Sequence, residues 1–360
     1  MLFTHPAVYA VGNFYHIMVP VDEPSLMWAE VDGKRYYDES NGILKSRCRV
    51  HRMVVPMEEL DRCGSYTICD EVLIERLPYF SKTQPVKRYE YAFRPLPTDR
   101  PIRAYHISDA HNRVEGPVAA AKNFGPVDLL ILNGDIPNHS GTAENFDDVY
   151  RIISEITGGN VPTVFSRGNH DMRGDCAEEF INFTPHDNGR TFYTIRIGKL
   201  WMLLLDCGED KPDSHEAYGH TICCHLFRQR QTEYLKQLIR NAQSEYAAEG
   251  IQYKIVISHH PFTHKLEEPF NIEEDIYAEW AQLLRDHVHP DLMLGGHLHT
   301  CEVSPVGGQL DDLGQPCPVV VGSRPEADKF IGCGLVFSET GITVEFTDSN
   351  NNQYETYTIV

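Results

Sequence analysis

The chain has 360 residues, with 52 acidic against 32 basic side chains and a formal net charge of −20. So acidic a balance lacks the basic footprint of a protein that tracks nucleic-acid backbones, and polynucleotides are disfavoured partners. The length exceeds one average domain and suggests two.

The opening Met1-Leu2-Phe3-Thr4-His5-Pro6 has no basic leader followed by an apolar run, and no later stretch is long enough to span a bilayer. The ten cysteines, from Cys48 to Cys333, include no pair of C-x-x-C knuckles, which reads as free thiols in a reducing compartment. The expectation is a soluble cytoplasmic chain with no membrane partner. No sequence feature speaks to its oligomeric state.

Residues 1–97 carry alternating segments such as Arg47 to Val55 and Tyr89 to Phe93, broken by turn signals at Asp32-Gly33 and Asn41-Gly42. They predict an all-β domain over 1–97. After Pro95-Leu96-Pro97, short apolar runs alternate with helical patterns at 144–156, 226–248 and 273–286, which predicts an α/β domain over 98–360.

Five of those apolar runs end on a polar cluster. Residues 102–107 lead to Asp109-Ala110-His111, 127–132 to Gly134-Asp135, and 161–165 to Gly168-Asn169-His170-Asp171. Residues 255–257 lead to Ser258-His259-His260-Pro261, and 292–294 to Gly296-His297-Leu298-His299. Right-handed strand–helix–strand crossovers bring successive strand ends to one edge of a sheet, so the clusters are expected to converge.

Asp, Asn and His supply oxygen and imidazole ligands of intermediate hardness, suited to manganese, zinc, iron, cobalt or nickel rather than to the all-oxygen shell of calcium. Two such ions at roughly 3.5–4 Å clamp the oxygens of a displacement at phosphorus and lower the pKa of a bound water. Hydrolysis of a phosphoester is the natural reaction. One Asp-x-His or His-x-His arises often by chance, but five clusters in order, each after an apolar run, do not.

The ordered set resembles the calcineurin-like metallophosphoesterase superfamily over roughly residues 100–346. The resemblance implies a four-layer α/β/β/α sandwich preceded by a small all-β domain. It also implies one metal site from Asp109, His111, Asp135 and His299 and a second from Asp135, Asn169, His259 and His297, with Asp135 bridging. His170 is then no ligand; it faces the substrate as general acid while a metal-bound hydroxide attacks phosphorus.

Asp171 reads either as a support for neighbouring ligands or as the cap of a following helix. Arg167 resembles a phosphate-clamping arginine, the competing reading being an ordinary salt bridge. Asn138 stands where purple acid phosphatases have a metal-binding Tyr, which argues against a tyrosinate centre. Asn138, His139 and His260 read as substrate contacts, with loop capping for the first two and simple packing for His260 as competing readings. The segment from Asp206 to His225, with Lys211, His215 and His220, reads as a lid or as a solvated connection.

Residues 1–97 loosely resemble the fibronectin type III-like module that precedes the catalytic domain of purple acid phosphatases. The expected function is a dinuclear metal-dependent phosphoester hydrolase acting on a phosphorylated small molecule, with a monoester slightly favoured. A phosphodiesterase of the same fold and a non-catalytic scaffold are the alternatives.

Overall fold

Aliphatic residues occupy both parities of the apolar runs after residue 100, the pattern a strand needs when both of its faces are covered. In a computed structural model, which describes residues 2–359, these runs are strands. Leu129–Asn133 and Leu200–Leu205 are buried at every position.

The strands form two facing sheets. In the first, Ile102–Ile107 runs parallel to Leu129–Asn133, and that strand parallel to Thr163–Ser166. Three antiparallel strands, Phe330–Ser338, Gly341–Asp348 and Gln353–Ile359, continue the sheet outward from Ile102–Ile107. In the second sheet Leu200–Leu205, Tyr253–Ser258, Leu292–Gly295 and Val319–Val321 are parallel neighbours. Parallel pairing points the carboxyl ends of each set the same way, so the polar clusters gather at one edge.

Alternation along each strand builds the layers. Leu129, Ile131, Met202 and Leu204 meet in a central apolar layer between the sheets. Leu130 and Leu132 face outward onto Val118, Phe124, Val149 and Ile153 of the helices Glu115–Phe124 and Asp147–Thr157. Trp201, Leu203 and Leu205 face the other way, onto Leu235 of Cys224–Arg240 and Trp280 of Glu274–Leu283. The order of layers is therefore helix, sheet, sheet, helix, as expected.

The helix Asp147–Thr157 shows how the sequence sets these elements. Val149, Tyr150, Ile152 and Ile153 fall on one buried stripe, Asp147 and Asp148 occupy the first turn, and Gly158 ends the helix at φ +60°. Each buried aliphatic side chain on that stripe contributes about 1.5–3 kcal/mol.

Among the described residues up to 97 the regular elements are strands, apart from one short helix, Met57–Cys63. Ala7–Val11, Phe14–Pro20 and Val50–Pro56 extend the first sheet, with Tyr9 of Ala7–Val11 paired in parallel to Thr163. Ser25–Val31, Lys34–Tyr37, Ser65–Glu75 and Lys87–Ala92 form a separate antiparallel sheet. Its Met27, Ala29, Tyr66 and Ile68 belong to the same apolar layer as Met202 and Leu204. The first sheet and this layer both run across the expected boundary at residue 97, where composition changes but packing does not break.

All ten cysteines are free thiols. No helix among the described residues is long and apolar enough to cross a membrane.

Arg52 pins the outer edge of the first sheet to the 181–186 segment, donating to His186 Nε2 at 2.7 Å, to the Thr184 carbonyl at 2.7 Å and to the Ile181 carbonyl. Burial, reinforced by the Arg52 charge, pushes His16 down to about 3 and His186 to about 4. Both imidazoles are neutral in the fold, so below their ordinary value of about 6.5 the unfolded chain takes up protons that the folded one refuses. Stability is then undiminished above about pH 6.5 and falls as the pH drops toward about 4, by up to about 1.4 kcal/mol per pH unit for each group. Thermal unfolding followed from about pH 7.5 to about pH 5 is expected to show this decline, with a shallower one in His16→Leu; equal slopes in the two proteins would contradict it.

Candidate metal centre

At the carboxyl edge of the two sheets the backbone turns sharply. Asp109, His111, Asp135, His297 and His299 all have positive φ, at +55°, +47°, +55°, +67° and +50°. The left-handed region costs a non-glycine residue about 1–2 kcal/mol, and its repetition marks a site whose surroundings impose it. Those surroundings include backbone bonds from Asp109 N to the Gly134 carbonyl and from His111 N to the Asp135 carbonyl, both 3.0 Å.

Two glycines make the close approach possible. A Cβ on Gly168 would sit 2.2 Å from Asp135 Oδ1. One on Gly134, which has φ +79°, would sit 2.6 Å from the Gly168 Cα.

Seven predicted ligands converge here. His299 Nε2 lies 3.3 Å from Asp109 Oδ1 and 3.2 Å from His111 Nε2. His259 Nε2 lies 3.2 Å from Asp135 Oδ2 and 3.7 Å from Asp109 Oδ1. His297 Nδ1 lies 3.1 Å from Asn169 Oδ1. Donors bound to one ion at about 2.1 Å are separated by about 2.9–3.6 Å along the edges of its coordination polyhedron, so nearly all of these spacings are those of ligand cages.

His259 tests whether the cages suit a cation. Its Nδ1–H donates to the Asn133 carbonyl at 2.7 Å, which leaves the Nε2 lone pair aimed at two buried carboxylates with no hydrogen-bond partner. A lone pair facing carboxylates is repulsive unless a positive charge lies between them. Against the opposing effect of burial, Asp135 and Asp109 raise the His259 imidazole to about 10, and His259 in turn holds both carboxyls below their usual range. The site takes up a proton where a divalent ion fits, and its oxygen and imidazole donors suit ions of intermediate hardness.

His170 stands beside the ligands. Its backbone N donates to Asp135 Oδ1 at 2.8 Å, its ring Nδ1 donates to the Asn138 carbonyl at 2.8 Å, and its Nε2 is 3.9 Å from Asp135 Oδ2. The Asn138 backbone thus holds the ring, while the Asn138 side chain is exposed. His139 Nδ1 accepts from Gly141 N at 3.0 Å, the loop-capping arrangement.

Asp171 is fully buried, and its Oδ2 accepts from Gly168 N at 2.7 Å and Asp135 N at 3.3 Å. It braces two ligand-bearing loops and makes no cap to the short helical turn that contains it. Burial, then the charge of Asp135, pushes its carboxyl well above the usual range.

Arg167 departs from the phosphate-clamp expectation. Its Nε forms a close ion pair with Asp206 Oδ2 at 2.7 Å without a directed hydrogen bond, and its guanidinium packs on Phe180 and Phe227. The deeply buried Asp206 carboxylate offers a stronger partner than a solvated phosphate would, and it captures the side chain.

His260 is buried, with Nε2 3.3 Å from Asn169 Oδ1. Sequence reasoning overlooked Asp210, which reaches the same amide: Asn169 Nδ2 lies 3.5 Å from Asp210 Oδ2. Lys211 Nζ at 2.6 Å and Tyr218 OH at 2.8 Å hold its other oxygen. The signal available was the Glu209-Asp210-Lys211 run just beyond a strand end. In the same segment His220 is exposed and His215 half-buried, and His215 Nδ1 caps Ala217 N at 3.2 Å.

Residues 102–301 match the family model for the calcineurin-like phosphoesterase. The match spans more than half of the chain, which belongs to this family. No curated protein sequence matches it.

Among solved structures, a purple acid phosphatase from yellow lupin (Lupinus luteus) seeds is 12% identical with a TM-score of 0.60, covering 99% of this chain and 73% of that one. PhoD is 9% identical with a TM-score of 0.52, covering 99% of this chain and 88% of that one. At such identities the likeness is one of fold. Family and donor set together define a metal-dependent phosphoester hydrolase with positions for two divalent ions.

Two substitutions separate the roles. Gly168→Ala, by displacing the Asp135 carboxylate, is expected to leave fewer than two ions per chain in elemental analysis of the folded protein; full loading would contradict the packing argument. Arg167→Ala is expected to cost about 3 kcal/mol of stability in denaturant unfolding, because it strands a buried carboxylate, while bound metal stays unchanged. Unchanged stability with lost turnover would instead restore the phosphate-clamp role.

Proposed function

We propose that the protein hydrolyses a phosphomonoester of a small molecule, with His170 as the general acid. The observation that carries this reading is the setting of the His170 ring. Its Nδ1–H is committed to the Asn138 carbonyl, its Nε2 faces the ligand cluster, and its centroid lies 4.7 Å from that of His111. The side chain is 29% exposed, open enough to meet a substrate and to regain a proton from water.

When bound, two divalent ions draw charge from the phosphoryl oxygens and lower the pKa of an attacking water. The chain supplies the rest. Asp109, His111, Asp135, Asn169, His259, His297 and His299 would hold the ions, Asp135 serving both. Asp171 keeps the Asp135 and Gly168 loops in register.

His170 donates its Nε2 proton to the departing alkoxide and keeps its Nδ1–H on the Asn138 carbonyl. A monoester carries more negative charge than a diester, and the partly open His170 imidazole beside the cluster offers a donor to it, which favours the monoester. The exposed Asn138 side chain completes the substrate-facing side.

The test is an assay of metal-stripped protein on chromogenic phosphomonoesters and phosphodiesters, before and after Mn²⁺ or Zn²⁺ is restored. Monoester turnover is expected to appear only with metal, and His170→Ala is expected to keep two ions while losing about 10²–10⁴ in rate. Turnover confined to diesters would move the assignment to a phosphodiesterase. No turnover of either class would sink it, and loss of metal in His170→Ala would make His170 a ligand.

A further inference from the structure

Adjacent residues of an extended strand point to opposite faces, so two neighbouring histidines do not ordinarily serve one centre. His259 and His260 are an exception. The chain bends just beyond the strand Tyr253–Ser258, and Pro261 keeps His260 out of the helical region. The two rings then lie with centroids 5.6 Å apart, tilted by 46°.

His260 also approaches His297, at a centroid distance of 4.2 Å. The ligand atoms of His259, His260 and His297 all lie within 4.8 Å of one another. That span is little more than twice a metal–nitrogen bond of about 2.1 Å, so one ion can serve all three after a small contraction.

The amide of Asn169 fixes where that ion sits. Its Nδ2 is directed to the carboxylate of Asp210, which leaves Oδ1 facing two imidazoles, His297 Nδ1 at 3.1 Å and His260 Nε2 at 3.3 Å. The two separations match each other and the edge of one coordination polyhedron. His260 stands in the same relation to Asn169 as an expected ligand does.

We propose that His260 is an additional ligand of the second ion, making that site three imidazoles and an amide oxygen besides the shared Asp135. The inference rests on the two-ion reading above. It gives the two ions different surroundings. The first site has two carboxylates and two imidazoles, His111 and the half-exposed His299, whereas the second is nitrogen-rich and closed. Imidazole-rich sites prefer zinc, nickel or cobalt, while carboxylate-rich ones accept manganese. A mixed load, manganese in the first site and zinc in the second, follows.

The experiment is proton NMR of the protein loaded with Co²⁺, in which each coordinated imidazole N–H gives a strongly shifted, exchangeable resonance. Five are expected, one each from His111, His299, His259, His297 and His260. His260→Gln is expected to lose one resonance and to weaken the second ion by more than about 100-fold, beyond what loss of a merely supporting contact produces. Two bound ions with four resonances would overturn the proposal and leave the two-ion reading intact. Fewer than two bound Co²⁺ ions in the wild-type protein would overturn both. Because the resonances are counted on the wild-type protein, the proposal stays testable even where the variant fails to fold.

Discussion

One imidazole held between two buried carboxylates is the constraint on which the rest of this structure depends. Asp109 and Asp135 are at most 2% exposed, and His259 Nε2 lies within 3.7 Å of both. Burying two like charges together costs several kcal/mol per ion unless positive charge compensates them. The Asn133 carbonyl accepts a hydrogen bond from the far nitrogen of His259, Nδ1–H, so the near nitrogen is left with its lone pair facing the carboxylates. A cation is the natural complement, and the fold is shaped to receive one.

That shape is costly to hold. Five of the expected ligand residues sit in the left-handed region, and two glycines bring loops so close that a methyl group would collide with a carboxylate or a backbone. The restraint comes from the strands behind the loops. The first sheet delivers Asp109, His111, Asp135, Asn169 and His170, while the second delivers His259, His260, His297 and His299. Between the sheets lies a continuous apolar layer that fixes their separation. The candidate ligands from both sheets meet where that layer ends, so ions held there would act as a clasp across the edge of the sandwich.

How much of this is legible in the sequence depends on the range of the interaction concerned. The strand-end clusters are local: an apolar run followed by Asp-x-His can be read within about ten residues, and all seven ligand positions lie together in the structure. The parallel pairing of Tyr9 with Thr163 is not local, since nothing in either segment names its neighbour across the intervening chain. For the same reason the composition change at residue 97 resembles a domain boundary although one sheet crosses it. Arg167 shows the limit for side chains. Its position beside Gly168 suits a phosphate, but Asp206, distant in sequence, holds it in an ion pair. The support of His170 lies in the carbonyl of Asn138, a group every residue possesses and no sequence pattern can mark.

The two halves of the centre also differ in access, and this orders the chemistry. His259 and Asn169 are 1% exposed and His260 is 7% exposed, whereas the His170 and His299 side chains are 29% and 47% exposed. The cluster is therefore open on the side of His170 and His299 and closed beyond Asn169, where Asp210 forms a wall anchored by Lys211 and Tyr218. On the proposed reading, entry from the open side would bring the ester oxygen near the His170 imidazole. The contrast between enclosed and open imidazoles then follows from where solvent can reach, as much as from which residue types are present.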